Sequence, residues 1–202
     1  MDATRLERQI EFLKEVDRLK LIERQSVVSG TRRPETSAEH SWHVTLMALV
    51  LSEYAPPGVD LARVQAMLLI HDLVEIDAGD LLLYADDAAR ARHARREQEA
   101  ADRLFALLPS PDGERLRALW DEFEKRASPD ARFAAALDRL QPLLANFMSE
   151  GATWRRHGVT AEQVRAKNQH IADGSPELWR FAEALIAESV RRGYLPTNTE
   201  PP

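Results

Sequence analysis

The chain has six histidines, at 40, 43, 71, 93, 157 and 170. Two of them stand where a plain hydrophobic core would not put them. In Met67-Leu68-Leu69-Ile70-His71-Asp72 the pair His71-Asp72 closes an apolar run that reads as deeply buried. An imidazole and a carboxylate left unpaired in such surroundings are costly. His40 is followed by Val44, Met47 and Leu51 at i+4, i+7 and i+11, so it shares the inward face of its helix. Asp138 poses the same problem, with Ala134 at i−4, Gln141 at i+3 and Ala145 at i+7. Taken singly, each has a bland reading: a hydrogen-bonded core histidine, or an aspartate paired with Arg132 or Arg139. Taken together, each solves the others' burial problem. Two imidazoles and two carboxylates are a donor set for one divalent cation (Mn, Co, Fe, Mg or Zn), because such a cation binds neutral imidazole and carboxylate oxygen directly.

These residues must be held by helices. Apolar residues recur at helical spacing over residues 4–23. Thr36 or Ser37 caps a helix that runs to about Tyr54, and Asp60 caps another over 61–72. Further helices are predicted at 87–107, 112–126, 129–149, 160–171 and 175–193, with 25–36 and 79–86 as loops. Pro142 should kink its helix one turn beyond Asp138. No segment shows sustained strand alternation. The expected architecture is all-α: one domain of seven or eight helices over 1–195, with a disordered tail over 196–202.

Composition narrows the chemistry. With 44% hydrophobic and 30% charged residues the chain is an ordinary globular one. It has no cysteine, which excludes thiolate metal sites, disulfides and a cysteine nucleophile. A net charge of −6 argues against a nucleic-acid duplex as partner but allows a small phosphorylated substrate at a local cationic site. No apolar run approaches the roughly 20 residues that span a bilayer. The charged first twenty residues do not read as a secretory signal, so a cytoplasmic location is expected.

The order His40, His71-Asp72, Asp138 resembles the H…HD…D signature of the HD-domain metal-dependent phosphohydrolases, a helical superfamily. The resemblance covers roughly residues 5–150. Ser37-Ala38-Glu39-His40-Ser41 and the stretch from His71 to Gly79-Asp80 resemble, more narrowly, the branch containing bacterial 5′-deoxynucleotidases. That resemblance implies one divalent cation on His40, His71, Asp72 and Asp138. It implies that Glu75 activates or positions water or protonates the leaving group, and that Asp80 contacts the sugar or orients the water. It implies a phosphate-binding arginine at Arg24; Arg32 and Arg33, in the following loop, are further candidates. The implied substrate is a small phosphomonoester, most plausibly a (deoxy)nucleoside 5′-monophosphate, and relatives are often dimeric, so a helical face left by the C-terminal helices could make a homodimer. Two departures bear on the substrate: Gln25 stands where the branch often has an aromatic residue, and Leu81-Leu82-Leu83-Tyr84 replaces a proline-containing stretch. The rivals are a pyrophosphohydrolase or phosphodiesterase on the same scaffold, and a non-catalytic nucleotide-binding regulatory module, against which Glu75 and Asp80 speak. Residues 86–103, His93 among them, read as a solvated helix with i, i+4 ion pairs. Trp42 and His43 read as packing or hydrogen-bonding groups beside the His40 face, His43 alternatively as a support for the metal ligands, and Trp154, His157, Trp179 and Phe181 as packing for the C-terminal helices.

Overall fold

The computed structural model describes residues 4–197. The helices are α1 (Arg5–Val16), α2 (Ser37–Val50), α3 (Leu61–Ile70), α4 (Glu75–Ala78), α5 (Asp87–Phe105), α6 (Asp112–Lys125), α7 (Pro129–Met148), α8 (Ala152–Arg156), α9 (Ala161–Asn168), α10 (Ile171–Gly174) and α11 (Pro176–Arg191). Eight of those in the described residues have eight residues or more, in line with the expected all-α domain. Of the tail expected from residue 196, residues 198–202 lie outside the described residues. Pro196 itself is tied down, its carbonyl accepting from the Ala161 amide at 2.8 Å.

Helix starts follow local chemistry. Thr36 caps α2 in a capping box with Glu39, Asp60 caps α3, and Ser128 caps α7 with Pro129 in its first turn. The central pair is α3 and α7. Val64, Met67 and Leu68 of α3 and Phe133, Leu137 and Leu140 of α7 are buried in one continuous core. Small residues let other elements come close: a Cβ on Gly174 would lie 2.3 Å from the Arg132 carbonyl, so α10 can only sit against α7 as glycine.

Three expectations are corrected. Residues 25–36 are not simply a loop. Glu23–Val27 (β1) pairs antiparallel with Pro34–Thr36 (β2), with an irregular register between Glu23↔Thr36 and Val27↔Pro34. Such a short ribbon is stable only against other elements, and here α7 and α8 support it. The first helix ends at Val16 and tightens into a 3₁₀ turn over Asp17–Leu21. The third ends at Ile70, and His71–Val74 form another 3₁₀ turn before α4. The apolar periodicity of α1 does not mark a core face either: Leu6, Ile10 and Leu13 are exposed, as are Trp42, Leu46, Leu49 and Val50 on α2. The apolar surface that a homodimer would need thus lies mainly on α1 and α2, while the C-terminal region exposes Met148 and Phe181.

Candidate metal centre and its cavity

His40, His71 and Asp72 offer ligand atoms within 4.8 Å of one another. Asp138 joins them, its Oδ1 lying 2.9 Å from His40 Nε2 and 3.4 Å from His71 Nε2. His71 Nε2 is also 3.1 Å from Asp72 Oδ1. Three separate stretches of chain meet here: α2 supplies His40, the 3₁₀ turn after α3 supplies His71 and Asp72, and α7 supplies Asp138. The turn is anchored by Trp120, whose indole N–H donates to the His71 carbonyl at 3.0 Å, and by Phe123, whose ring centroid lies 5.1 Å from the His71 ring.

The donor set fits a cation. His71 Nδ1 lies 2.8 Å from the Leu68 carbonyl, an acceptor, so Nδ1 carries the proton there. Its Nε2 is then buried and makes no hydrogen bond, with the Asp72 and Asp138 carboxylates in front of it. His40 shows the same arrangement, Nδ1 lying 3.0 Å from Gln141 Oε1 and Nε2 facing Asp138. The Nε2 atoms of two imidazoles and two carboxylates thus converge on one point that calls for positive charge, a shared proton or a cation. Burial opposes a second proton on His71, yet Asp72 and Asp138 outweigh it and push the imidazole up to about 9. Burial alone would raise Asp138, but the two imidazoles and Arg139 hold it well below the usual carboxylate range.

Arg24 reaches the same place from β1. Its Nη1 donates to Asp72 Oδ2 at 2.5 Å and lies 3.7 Å from Glu75 Oε1. Burial opposes its charge, but Asp72, Glu75 and Asp80 raise its pKa further still. Glu75 follows the metal-site turn and accepts a hydrogen bond from the Ser37 hydroxyl. Burial and the nearby Asp72 carboxylate push Glu75 up to about 8. Gly79, at φ 76°, ends α4 in the left-handed region and turns the chain into Asp80. Asp80 Oδ2 then accepts from the Gln25 amide at 3.2 Å, while Thr153 donates to the Gln25 carbonyl at 2.9 Å. Both bonds fix the ribbon beside Arg24. Burial raises the Asp80 pKa.

A cavity of about 310 Å³ opens on this cluster. Arg24, His71, Asp72, Glu75, Asp80 and Asp138 line one end. Arg32 and Arg33 do not line it. Both are exposed, and Arg33 makes a two-pronged pair with Glu39 at 2.7 and 2.9 Å. Conversely, the cavity recruits residues that read as surface or packing groups. Arg90, His93 and Glu97 of the charged helix α5 line it, as do Arg139, Tyr84 and Trp154. His93 Nε2 lies 3.2 Å from Glu97 Oε1. Burial, then Glu124, push Glu97 up to about 7. Nothing in an alternating run of arginines and acids distinguishes the side of α5 that closes a cavity from the side that faces solvent. Ser37 was legible only as a cap, a role Thr36 holds instead.

Comparisons with known proteins give the family. The HD domain family model matches residues 16–179. The 5′-deoxynucleotidase HDDC2 of Bos taurus is 32% identical over 136 residues, and that of Homo sapiens 31% over 136. Each match covers 67% of this chain, and 64% and 65% of the relative. The HDDC2 of Danio rerio is 29% identical and 68% covered, so the chain spans about two thirds of the length of these relatives. A solved structure described as a predicted metal-dependent phosphohydrolase from Magnetospirillum magnetotacticum superposes with a TM-score of 0.91. It is 50% identical, over 95% of this chain and 96% of the other. An HD-domain phosphohydrolase from Listeria innocua shares the fold at a TM-score of 0.58 and 18% identity. With a buried His-His-Asp-Asp cluster at the end of a cavity and a family match that spans most of its length, the chain belongs to the HD domain family.

Proposed function

We propose that this protein is a metal-dependent phosphohydrolase that releases phosphate from a nucleoside 5′-monophosphate, a deoxynucleotide in the first instance. The observation that carries the reading is the buried His71 Nε2, unbonded and facing Asp72 and Asp138, at the end of a cavity that also holds Arg24 and Glu75. His40, His71, Asp72 and Asp138 would hold one divalent cation, which when bound supplies positive charge for the phosphate oxygens and acidifies water.

The chain's own groups account for the rest. Arg24, drawn between Asp72 and Glu75, presents a buried guanidinium to a phosphate dianion. Glu75, raised to about 8, sits where a carboxyl can take a proton from water and return it. Asp80, which lines the cavity, would contact the sugar or the water. In the reaction a water oxygen bonds to phosphorus and the bond from phosphorus to the 5′ oxygen breaks. One water proton ends on that oxygen, leaving the nucleoside and inorganic phosphate. The cavity volume is in the small-molecule range of roughly 300–1,000 Å³. Being lined by Leu81, Leu82, Leu83 and Tyr84, it also offers an apolar wall to a base.

The test is phosphate release by metal-depleted protein resupplied with Mn, Co, Mg or Zn. The panel contains ribo- and deoxynucleoside 5′-monophosphates, with nucleoside diphosphates and a diester beside them because Arg90 and Arg139 also line the cavity. Metal-dependent turnover of monophosphates, lost in Asp72→Ala, is the expected outcome. Turnover confined to diphosphates or the diester would move the assignment to a pyrophosphohydrolase or phosphodiesterase. Bound metal with no turnover of any substrate would leave a binding module.

A further inference from the structure

Behind the metal-facing side of His40 lies a second buried polar layer that the chemistry above does not use. Gln141, one helical turn beyond Asp138 on α7, is 2% exposed, and Glu35 of β2 is 7% exposed. Gln141 Oε1 lies 3.0 Å from His40 Nδ1. The other end of the same amide donates from Nε2 to Glu35 Oε1 at 2.7 Å and approaches His43 Nδ1 at 3.3 Å. Glu35 Oε2 is buried without a hydrogen-bond partner and lies 3.9 Å from His40 Nδ1.

The direction of this chain of contacts is not arbitrary. An amide can be turned about so that oxygen and nitrogen exchange places, and neighbours decide which way it sits. Here the Glu35 carboxylate presents an acceptor to one end of Gln141, with His43 Nδ1 beside it. Turning the amide would set its oxygen against that carboxylate and leave its N–H groups facing His40. The carboxylate therefore fixes Nε2 toward itself and Oε1 toward His40. A carbonyl oxygen facing Nδ1 requires Nδ1 to carry the ring proton. With a cation in place of any proton shared with Asp138, 2.9 Å away, that leaves the Nε2 lone pair aimed at the metal position. Histidine ligands are commonly held this way, by a group that binds the other ring nitrogen, and loss of that group typically weakens metal binding by about 10–100-fold.

We infer that Gln141 and Glu35 are positioning residues for the metal centre: Glu35 orients the Gln141 amide, and Gln141 fixes the tautomer and angle of His40. This rests on the metal reading of the four-residue cluster. It also gives the short ribbon a second purpose, since β1 delivers Arg24 to the front of the site while β2 delivers Glu35 to its back. A hydrogen-bonded core alone would not require the amide to link a histidine of the cluster to a buried carboxylate.

The experiment measures Co²⁺ binding to metal-depleted wild-type protein, Gln141→Leu, Gln141→Asn and Glu35→Gln by calorimetric titration. Ring ¹⁵N spectra of His40 and circular dichroism are recorded on the metal-free proteins. Gln141→Leu should weaken Co²⁺ binding about 10–100-fold and shift the His40 Nδ1 signal as its hydrogen bond is lost. Gln141→Asn, which keeps a polar side chain but withdraws the carbonyl by one methylene, tests the point if the leucine variant fails to fold. It should move both readouts in the same direction. Glu35→Gln, which still offers an acceptor to Gln141, should disturb them less than either. Wild-type affinity with an unchanged His40 signal in folded Gln141 variants would overturn the inference. Failure of the wild-type protein to bind Co²⁺ would instead overturn the metal reading on which it rests.

Discussion

The two walls of the cavity are built on different principles. The metal end is made of groups that are buried, and nearly all have named partners. His40 has Gln141 behind it and Asp138 before it, Asp72 has Arg24, and Glu75 has Ser37. The opposite wall comes from α5 and the 81–86 loop. Its charged groups remain partly open to solvent: the Glu97 side chain is 25% exposed and its contact is His93, one turn back. Charge is costly at the first wall, so each charge there is matched. It is less costly at the second, which is partly open to water, although burial still raises Glu97. Substitutions at the metal end should therefore change chemistry and stability together, and substitutions on the α5 wall should adjust binding alone.

The sharpest test of this contrast is Glu75→Gln. As a base Glu75 must be ionised, and its pKa is raised from 4.5 to about 8. Rate should accordingly rise with pH as the carboxyl loses its proton, and a bound cation would bring that rise below 8. In Glu75→Gln the rise should vanish and kcat should fall by roughly 10²–10⁴, with metal content unchanged. A variant within tenfold of wild type, its pH profile intact, would remove Glu75 from proton transfer.

Next in size is Arg24→Ala. It leaves the Asp72 and Glu75 carboxylates buried without their cation. The metal-free protein should lose about 3–5 kcal/mol of unfolding free energy, read by denaturant titration, and added divalent metal should recover part of it. KM for a monophosphate should rise as well. Unchanged stability would mean that the metal end tolerates unmatched charge, and the contrast between the walls would fail.

The smallest effect is expected from Glu97→Gln. At about 7, Glu97 loses its proton near neutrality and then opposes a phosphate dianion. In the wild type KM should therefore climb as pH rises through 7, and the variant should lack that climb. The difference should stay under tenfold, on the order of 1 kcal/mol, because the group is partly solvated. A loss of kcat as large as that of Glu75→Gln would place Glu97 in the chemistry and erase the distinction between the two walls.

How the site could be read from the chain follows the same division. His40, His71, Asp72 and Asp138 were legible because each is a polar residue in an apolar helical stripe, an anomaly that burial makes expensive. Glu75 and Asp80 were legible through the motif that follows His71. Arg24 could be told from Arg32 and Arg33 only by the resemblance, since all three border the same short stretch. The ribbon decides between them: β1 is pinned at Gln25 by Asp80 and Thr153, and its neighbour Arg24 turns inward, while Arg33 pairs with Glu39 outside. His93 and Glu97 gave no signal, because the wall they line is formed by a helix whose sequence is that of a solvated one.

Sequence by itself determined the helical class, the capped starts of α2 and α3, and the four polar residues in apolar stripes that meet at one place. Those depend on local hydrogen bonding and on helical periodicity, which act over a few residues. Tertiary structure alone decided the pairing of β1 with β2, the meeting of Glu35 with Gln141 across 106 positions, and the recruitment of α5 to the cavity. It also decided that the apolar stripe of α1 faces outward. Each of these depends on which distant surface an element meets, and periodicity records only that a face is apolar or charged, not what will cover it.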